Sequence, residues 1–127
     1  MMKLEKMNHL LVIIITIVSL GCLLSACDSK NEAETDYNLG NKYASQGKLE
    51  DAIAELQQVI QIDPNYALAH YNLACIYSLK NEQTPAIEWL QKAIALDEST
   101  IIEESKTDSD LDNIRQSAEF QQLINSE

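Results

Sequence analysis

The middle of the chain echoes itself at a spacing of 34 residues: Leu39, Gly40, Tyr43, Ala52, Leu56 and Val59 return as Leu73, Ala74, Tyr77, Ala86, Leu90 and Ala93. Small residues return as small and large as large, so the packing of one copy is repeated in the next. Within the first copy Tyr37, Leu39, Gly40, Tyr43 and Ala44, then Ala52, Ile53, Leu56, Val59 and Ile60, fall at helical intervals, each set making one apolar stripe. Two such helices cannot bury both stripes alone. They must lean on a neighbouring pair, and the small residues Gly40, Ala52, Ala74, Ala86 and Ala93 let the backbones come close. The expected fold is all-α, a short stack of helical hairpins.

Turn residues divide the stack. A first helix is expected from Glu34–Asp36 to about Gln46, closed by Gly47 as a left-handed cap. A return helix covers residues 48–61, and Asp63-Pro64-Asn65 ends it, since proline cannot continue a helix but suits the entrance to the next. Tyr66 to Leu79 then mirrors the first helix. Lys80 to Gln83 turns, and Gln83 or Thr84 caps a fourth helix running to Leu96, with Pro85 harmless in its first turn.

The period and the positions of the small residues resemble the tetratricopeptide repeat, whose helix pairs stack into a short α-solenoid. The resemblance places repeat one at 34–66, repeat two at 67–98 and a capping segment at 99–127. In that segment Lys106 to Arg115, followed by Phe120-Gln121-Gln122-Leu123-Ile124, is similar to a closing element found after many such pairs. Ser117 is the expected N-cap of the last helix, which puts Phe120, Leu123 and Ile124 on one face.

The amino terminus has a different character. Lys3 and Lys6 precede an apolar run from Leu10 to Leu24, whose 15 residues would span about 22 Å as a helix, short of the ~30 Å hydrocarbon core. A basic head and a short apolar run describe an export signal. The run ends in Leu24-Ser25-Ala26-Cys27, which resembles the lipobox of bacterial lipoproteins; Cys22 after Leu20-Gly21 fits that pattern less well. The resemblance implies a signal peptide at 1–26, cleavage before Cys27, a diacylglyceryl group on its sulfur and an acyl chain such as palmitate on the new terminus. Acyl chains contribute about 0.8 kcal/mol per buried CH₂, so two or three give stable anchoring without a span. Residues 27–33 have the polar composition of a tether. Asp28 after the cysteine resembles the signal that keeps enterobacterial lipoproteins in the inner membrane, which implies a lipid-anchored, extracytoplasmic domain in the cell envelope.

Removal of residues 1–26 leaves 7 Lys and Arg against 19 Asp and Glu, a net charge of −12. Such a surface repels nucleic acid and anionic headgroups and favours a basic partner. Cys75 becomes the one thiol free to react, at a position that reads as helix packing rather than redox chemistry. His70 stands where the repeat expects a large ring, so packing is its task too. Three glycines give no phosphate loop, and one histidine beyond the signal gives no metal cluster or ordinary triad. Asp108, Asp110 and Asp112 open like a calcium loop, but Asn113 stands where that loop needs glycine, so they read as helix caps. The expectation is a non-enzyme with no cofactor and no metal.

What remains is the concave face, built in this repeat type by the first helix of each pair. It is expected to present Tyr37, Asn41 and Ala44 from repeat one and Leu68, Tyr71, Asn72, Cys75 and Ser78 from repeat two. Tyrosines give contact area and asparagines bond a peptide backbone, so the surface suits a protein or peptide partner. Asn41 and Asn72 match asparagines of the repeat subset that clamps a terminal carboxylate. Tyr37 and Ile102 replace the lysines that clamp requires, which excludes it. Two functions follow from the pattern: a membrane-anchored adaptor that binds a protein segment in this groove, or a self-associating structural module of an envelope assembly.

Overall fold

The computed structural model describes residues 2–125, and these are helical with no strand. Six α-helices follow one another: α1 (Met2–Ser45), α2 (Leu49–Ile62), α3 (Ala67–Leu79), α4 (Gln83–Leu96), α5 (Glu98–Thr107) and α6 (Ala118–Asn125). A single 3₁₀ turn, Ser109–Leu111, lies between the last two. Helix α1 packs chiefly on α2 and α3 on α4, with α2 against α3 joining the pairs. This is a tetratricopeptide-type short α-solenoid.

The two repeats end their first helices by the same device. Gly47 adopts φ +74°; its N–H donates to the Ala44 carbonyl at 2.9 Å, and the Lys48 N–H donates to the Tyr43 carbonyl at 3.0 Å. Thirty-four residues on, Asn81 adopts φ +60°, its N–H donates to the Ser78 carbonyl at 2.9 Å, and the Glu82 N–H reaches the Tyr77 carbonyl at 2.9 Å. Both are left-handed caps of the Schellman type, one served by glycine and one by asparagine, the side chain that best tolerates this region. Gly40 is needed for another reason: a Cβ there would lie 3.1 Å from Leu56 Cγ, so its absence sets how closely α1 and α2 approach.

Two apolar clusters follow the repeats. Ala52, Ile53, Leu56, Val59, Ala69, Leu73 and Ile76 bury themselves in the first; Ala74, Ala86, Ile87, Leu90 and Ala93 form the second. Ile101, Leu111, Ile114 and Phe120 of the capping segment close the second cluster, so that segment fills the end of the stack. Ser117 caps α6 as expected, its Oγ accepting the Phe120 N–H at 3.2 Å. Helix α4 differs in one detail, starting at Gln83 with Glu82 ahead of it and no side-chain cap.

The first helix departs furthest from the expected bounds. It does not start near residue 34 but runs unbroken from Met2, so residues 27–33 are helical rather than an extended tether. Ala33 is 1% exposed and belongs to the first cluster. Helix α1 continues past the repeat boundary because nothing between Cys27 and Glu34 breaks it: the segment has no proline or glycine, and glutamate, lysine and alanine favour the helix. Nearer the start, Leu11 to Ile15 stand exposed on the helix. Among the described residues no helix is long and apolar enough to cross a membrane. The side chains of Cys22, Leu24 and Ser25 lie outside what is described, as do the last two residues of the capping segment.

The paired caps generate a stability test. Asn81→Gly removes the Cβ strain of the left-handed region and is expected to stabilise the fold by a few tenths to about 1 kcal/mol, whereas Gly47→Ala costs about 1–2 kcal/mol. Urea denaturation of the two variants checks both signs.

Candidate functional site: a groove between the repeats and the cap

Helices α1 and α3 lie side by side across the repeat junction, and the chain returning from α5 folds over the end of α3. Between them is a groove of about 370 Å³. Asn41, Ala44, Asn72 and Cys75 line it, as the sequence pattern anticipates. Ser45 from α1, Ile76 and Leu79 from α3, and Asp108 and Asp110 from the returning chain complete the lining.

The asparagines are linked to each other. Asn72 Nδ2 donates to Asn41 Oδ1 at 2.6 Å and to the Tyr37 hydroxyl at 3.2 Å. These part-buried bonds cross the junction and fix both amides in one orientation. Tyr37 does not stack on Tyr71. Its ring instead lies 5.1 Å from that of Tyr66.

Tyr71 and Ser78 are not groove-surface residues. Tyr71 is 3% exposed, covered by the capping segment, and its hydroxyl donates to Asp108 Oδ2 at 2.7 Å. Ser78 is fully buried, and its carbonyl accepts from Asn113 Nδ2 at 2.9 Å. Leu68 is exposed but does not line the groove. The register of these three on α3 is helical as expected. The returning turn decides which part of that face stays open.

Asp108 organises the turn. Its Oδ1 accepts the Asp110 N–H at 2.9 Å, and its Oδ2 takes Tyr71 and, at 3.7 Å, the Cys75 thiol. Of the three aspartates, Asp108 therefore serves as a cap, while Asp112 pairs with Arg115. Arg115 holds the turn from the other side. Its guanidinium donates to the carbonyls of Ser105 at 2.9 Å, Lys106 at 2.8 Å and Asp108, and to Asp112 Oδ1 at 2.9 Å. One fixed fork of donors thereby satisfies the orphan carbonyls at the end of α5.

The electrostatics of the groove are acidic. Burial raises the pKa of the Asp110 carboxyl above the ordinary aspartate value, with the charges of Asp108 and Asp112 adding to the shift. Burial raises Cys75 strongly, and Asp108 and Asp110 push it further, so it remains a thiol at neutral pH. Tyr71 is raised in turn, first by burial and then by Cys75 and Asp108. None of these groups is set up as a nucleophile or base near pH 7. Among the described residues no three His, Cys, Asp or Glu are grouped to hold a metal ion. His70 packs as expected: its Nε2 lies 2.9 Å from the Pro64 carbonyl, which can only accept, and its ring lies 5.4 Å from Trp89.

Comparison with known proteins agrees with this architecture. Residues 40–81 match the family described as TPR repeat, and residues 67–100 match that described as tetratricopeptide repeat. Residues 40–100 match tetratricopeptide repeats. The two matches overlap across α3, the helix that both lines the groove and carries the capping turn. A chloroplastic protein of Arabidopsis thaliana is 27% identical over 100 residues, which cover 76% of this chain and 30% of that protein. The chain thus corresponds to less than a third of that relative's length. Tetratricopeptide repeats mark a module for protein–protein interaction.

Two measurements test the site. Asp110 has a raised folded-state pKa, so its contribution favours the fold below the ordinary aspartate value of about 3.9 and is lost as pH rises through the folded value. Asp110→Asn is therefore expected to raise the melting temperature at pH 7 and to leave it unchanged near pH 3, about one unit below that ordinary value. Iodoacetamide at pH 8 is expected to alkylate Cys75 more than about tenfold slower in the folded chain than in urea.

Proposed function

We propose that this chain is a non-catalytic, lipid-anchored adaptor, exported and held on a membrane through Cys27, whose repeats seat a segment of a partner protein in the groove beside Asn41 and Asn72. The groove carries the proposal. It joins two fixed amides to the apolar side chains of Ala44, Ile76 and Leu79, the combination that holds an extended peptide by its backbone and one or two side chains. Anchoring rests on the lipobox resemblance of Leu24-Ser25-Ala26-Cys27, with Cys27 exposed on α1 where a modifying enzyme can reach its sulfur.

Cleavage before Cys27 would leave Asp28 to Glu32 between the lipid and Ala33, the first buried residue. Kept helical, those five residues span about 8 Å, so the repeats would sit close to the headgroups rather than on a long leash. Asp28 favours the periplasmic face of the inner membrane in a Gram-negative host. Stacking of repeats end to end is the weaker reading, because Leu111, Ile114 and Phe120 already cover the second pair.

A photo-crosslinking residue placed at Ser45, on the rim of the groove, is expected to capture a partner from native membranes. The same residue at Gln57, exposed on α2, is expected to capture none. Capture that persists unchanged in the Asn41→Ala, Asn72→Ala double variant would refute the groove. The intact mass of the membrane-purified protein tests the anchor: residues 27–127 plus acyl chains support it, and an unmodified full-length mass rejects it.

A further inference from the structure

The groove has an acid at its mouth that no cation among the described residues neutralises. Asp108 is committed, since its two oxygens accept from Tyr71, Cys75 and the Asp110 backbone. Asp110 is different: its backbone is fixed by Asp108, and no cation among the described residues pairs with its carboxylate. Several cations of the fold are engaged elsewhere. Lys80 bridges Glu50 and Glu82 at 2.8 and 3.0 Å, Lys106 holds Glu103 at 2.6 Å, and Arg115 is spread over Asp112 and three carbonyls. Lys92 lies over the Trp89 ring at 3.9 Å, and Lys48 lies over Tyr43 at 5.6 Å.

Next to this acid the groove is apolar. Ile76 and Leu79 line it, and Leu79 remains 39% exposed. An apolar wall ending at an unpaired carboxylate has the layout that an amphipathic cation fills, with its methylene stem along the wall and its charged head at the acid. An acidic or C-terminal carboxylate ligand would instead place its charge against Asp108 and Asp110.

Resting on the groove reading above, we propose that the occupant is a basic segment of a partner protein, with a lysine or arginine side chain lying along Leu79 and Ile76 and ending at Asp110. The Asn41 and Asn72 amides then meet the backbone on either side of that residue. The formal net charge of −11 draws such a segment in at long range, while the contact with Asp110 selects where it docks. The pKa of Asp110, raised by burial and by its acidic neighbours, falls when a cation arrives.

Pooled octapeptides test this against the isotope-labelled full chain in detergent micelles. The three pools vary at random over uncharged residues and carry lysine or arginine, glutamine, or glutamate at two central positions. The basic pool is expected to shift the NMR signals of Asn41, Asn72 and Asp110. Asp110→Asn should weaken binding about three- to fivefold and Asp110→Lys more than about tenfold, the range for a solvent-accessible charged contact and its reversal. Asp51→Asn, which removes the same charge from the exposed surface of α2, should change it less than about twofold. Equal losses from the Asp51 and Asp110 variants mean diffuse attraction and overturn the proposal. Equal groove shifts from the glutamine or glutamate pool overturn the basic occupant while leaving the groove in place. Silence of the groove signals with all three pools removes both.

Discussion

The Asp108 carboxylate accepts from the Tyr71 hydroxyl at 2.7 Å, across 37 residues of sequence, and the returning chain, the second repeat and the groove all depend on that contact. Tyr71 is buried, so its hydroxyl would otherwise stand without a partner, at a cost of about 1–3 kcal/mol. Asp108 in turn is held by its own bond to the Asp110 N–H and by Arg115 on its carbonyl. The arrangement works as one unit, since moving any member strands another. It also explains why α3 can be buried over most of its length although it begins a repeat whose concave face is nominally open.

That unit converts a cap into part of a binding surface. Ile101, Leu111, Ile114 and Phe120 do the ordinary work of a solenoid end, excluding water from the last helix pair. The same segment then carries Asp108 and Asp110 around to the other side of α3, where they border the Asn41–Asn72 pair. A two-repeat stack has little concave surface, and here the closing segment enlarges it. It also gives it a sign, because among the described residues no counter-ion pairs with Asp110. The chemistry of a bound segment is therefore tied to the same residues that stabilise the end of the fold.

Much of this was legible in the chain and some was not. The 34-residue echo, Gly47 and the Asp63-Pro64 break locate α2, α3 and α4 to within a few residues, because each rests on local periodicity and backbone preference. Asn81 belongs to the same class: its place 34 residues after Gly47 marks it as the second cap. The start of α1 was not legible, because polar residues without a breaker suit a helix and a tether equally well, and the burial of Ala33 against the first cluster distinguishes them. Asn41, Ala44, Asn72 and Cys75 reach the groove as the helical register implies.

The sequence by itself determined helices α2 to α4, their pairing and the capping role of Asp108, since spacing and turn chemistry act over a few residues. Only the tertiary structure decided that Tyr71 and Ser78 are covered, that Tyr37 pairs with Tyr66 and that Asp110 borders the groove. The cover over Tyr71 and Ser78 and the place of Asp110 depend on where the chain between α5 and α6 folds back. That path is set by Arg115 gathering carbonyls from three residues and by Phe120 filling the end of the stack, long-range contacts with no period to betray them.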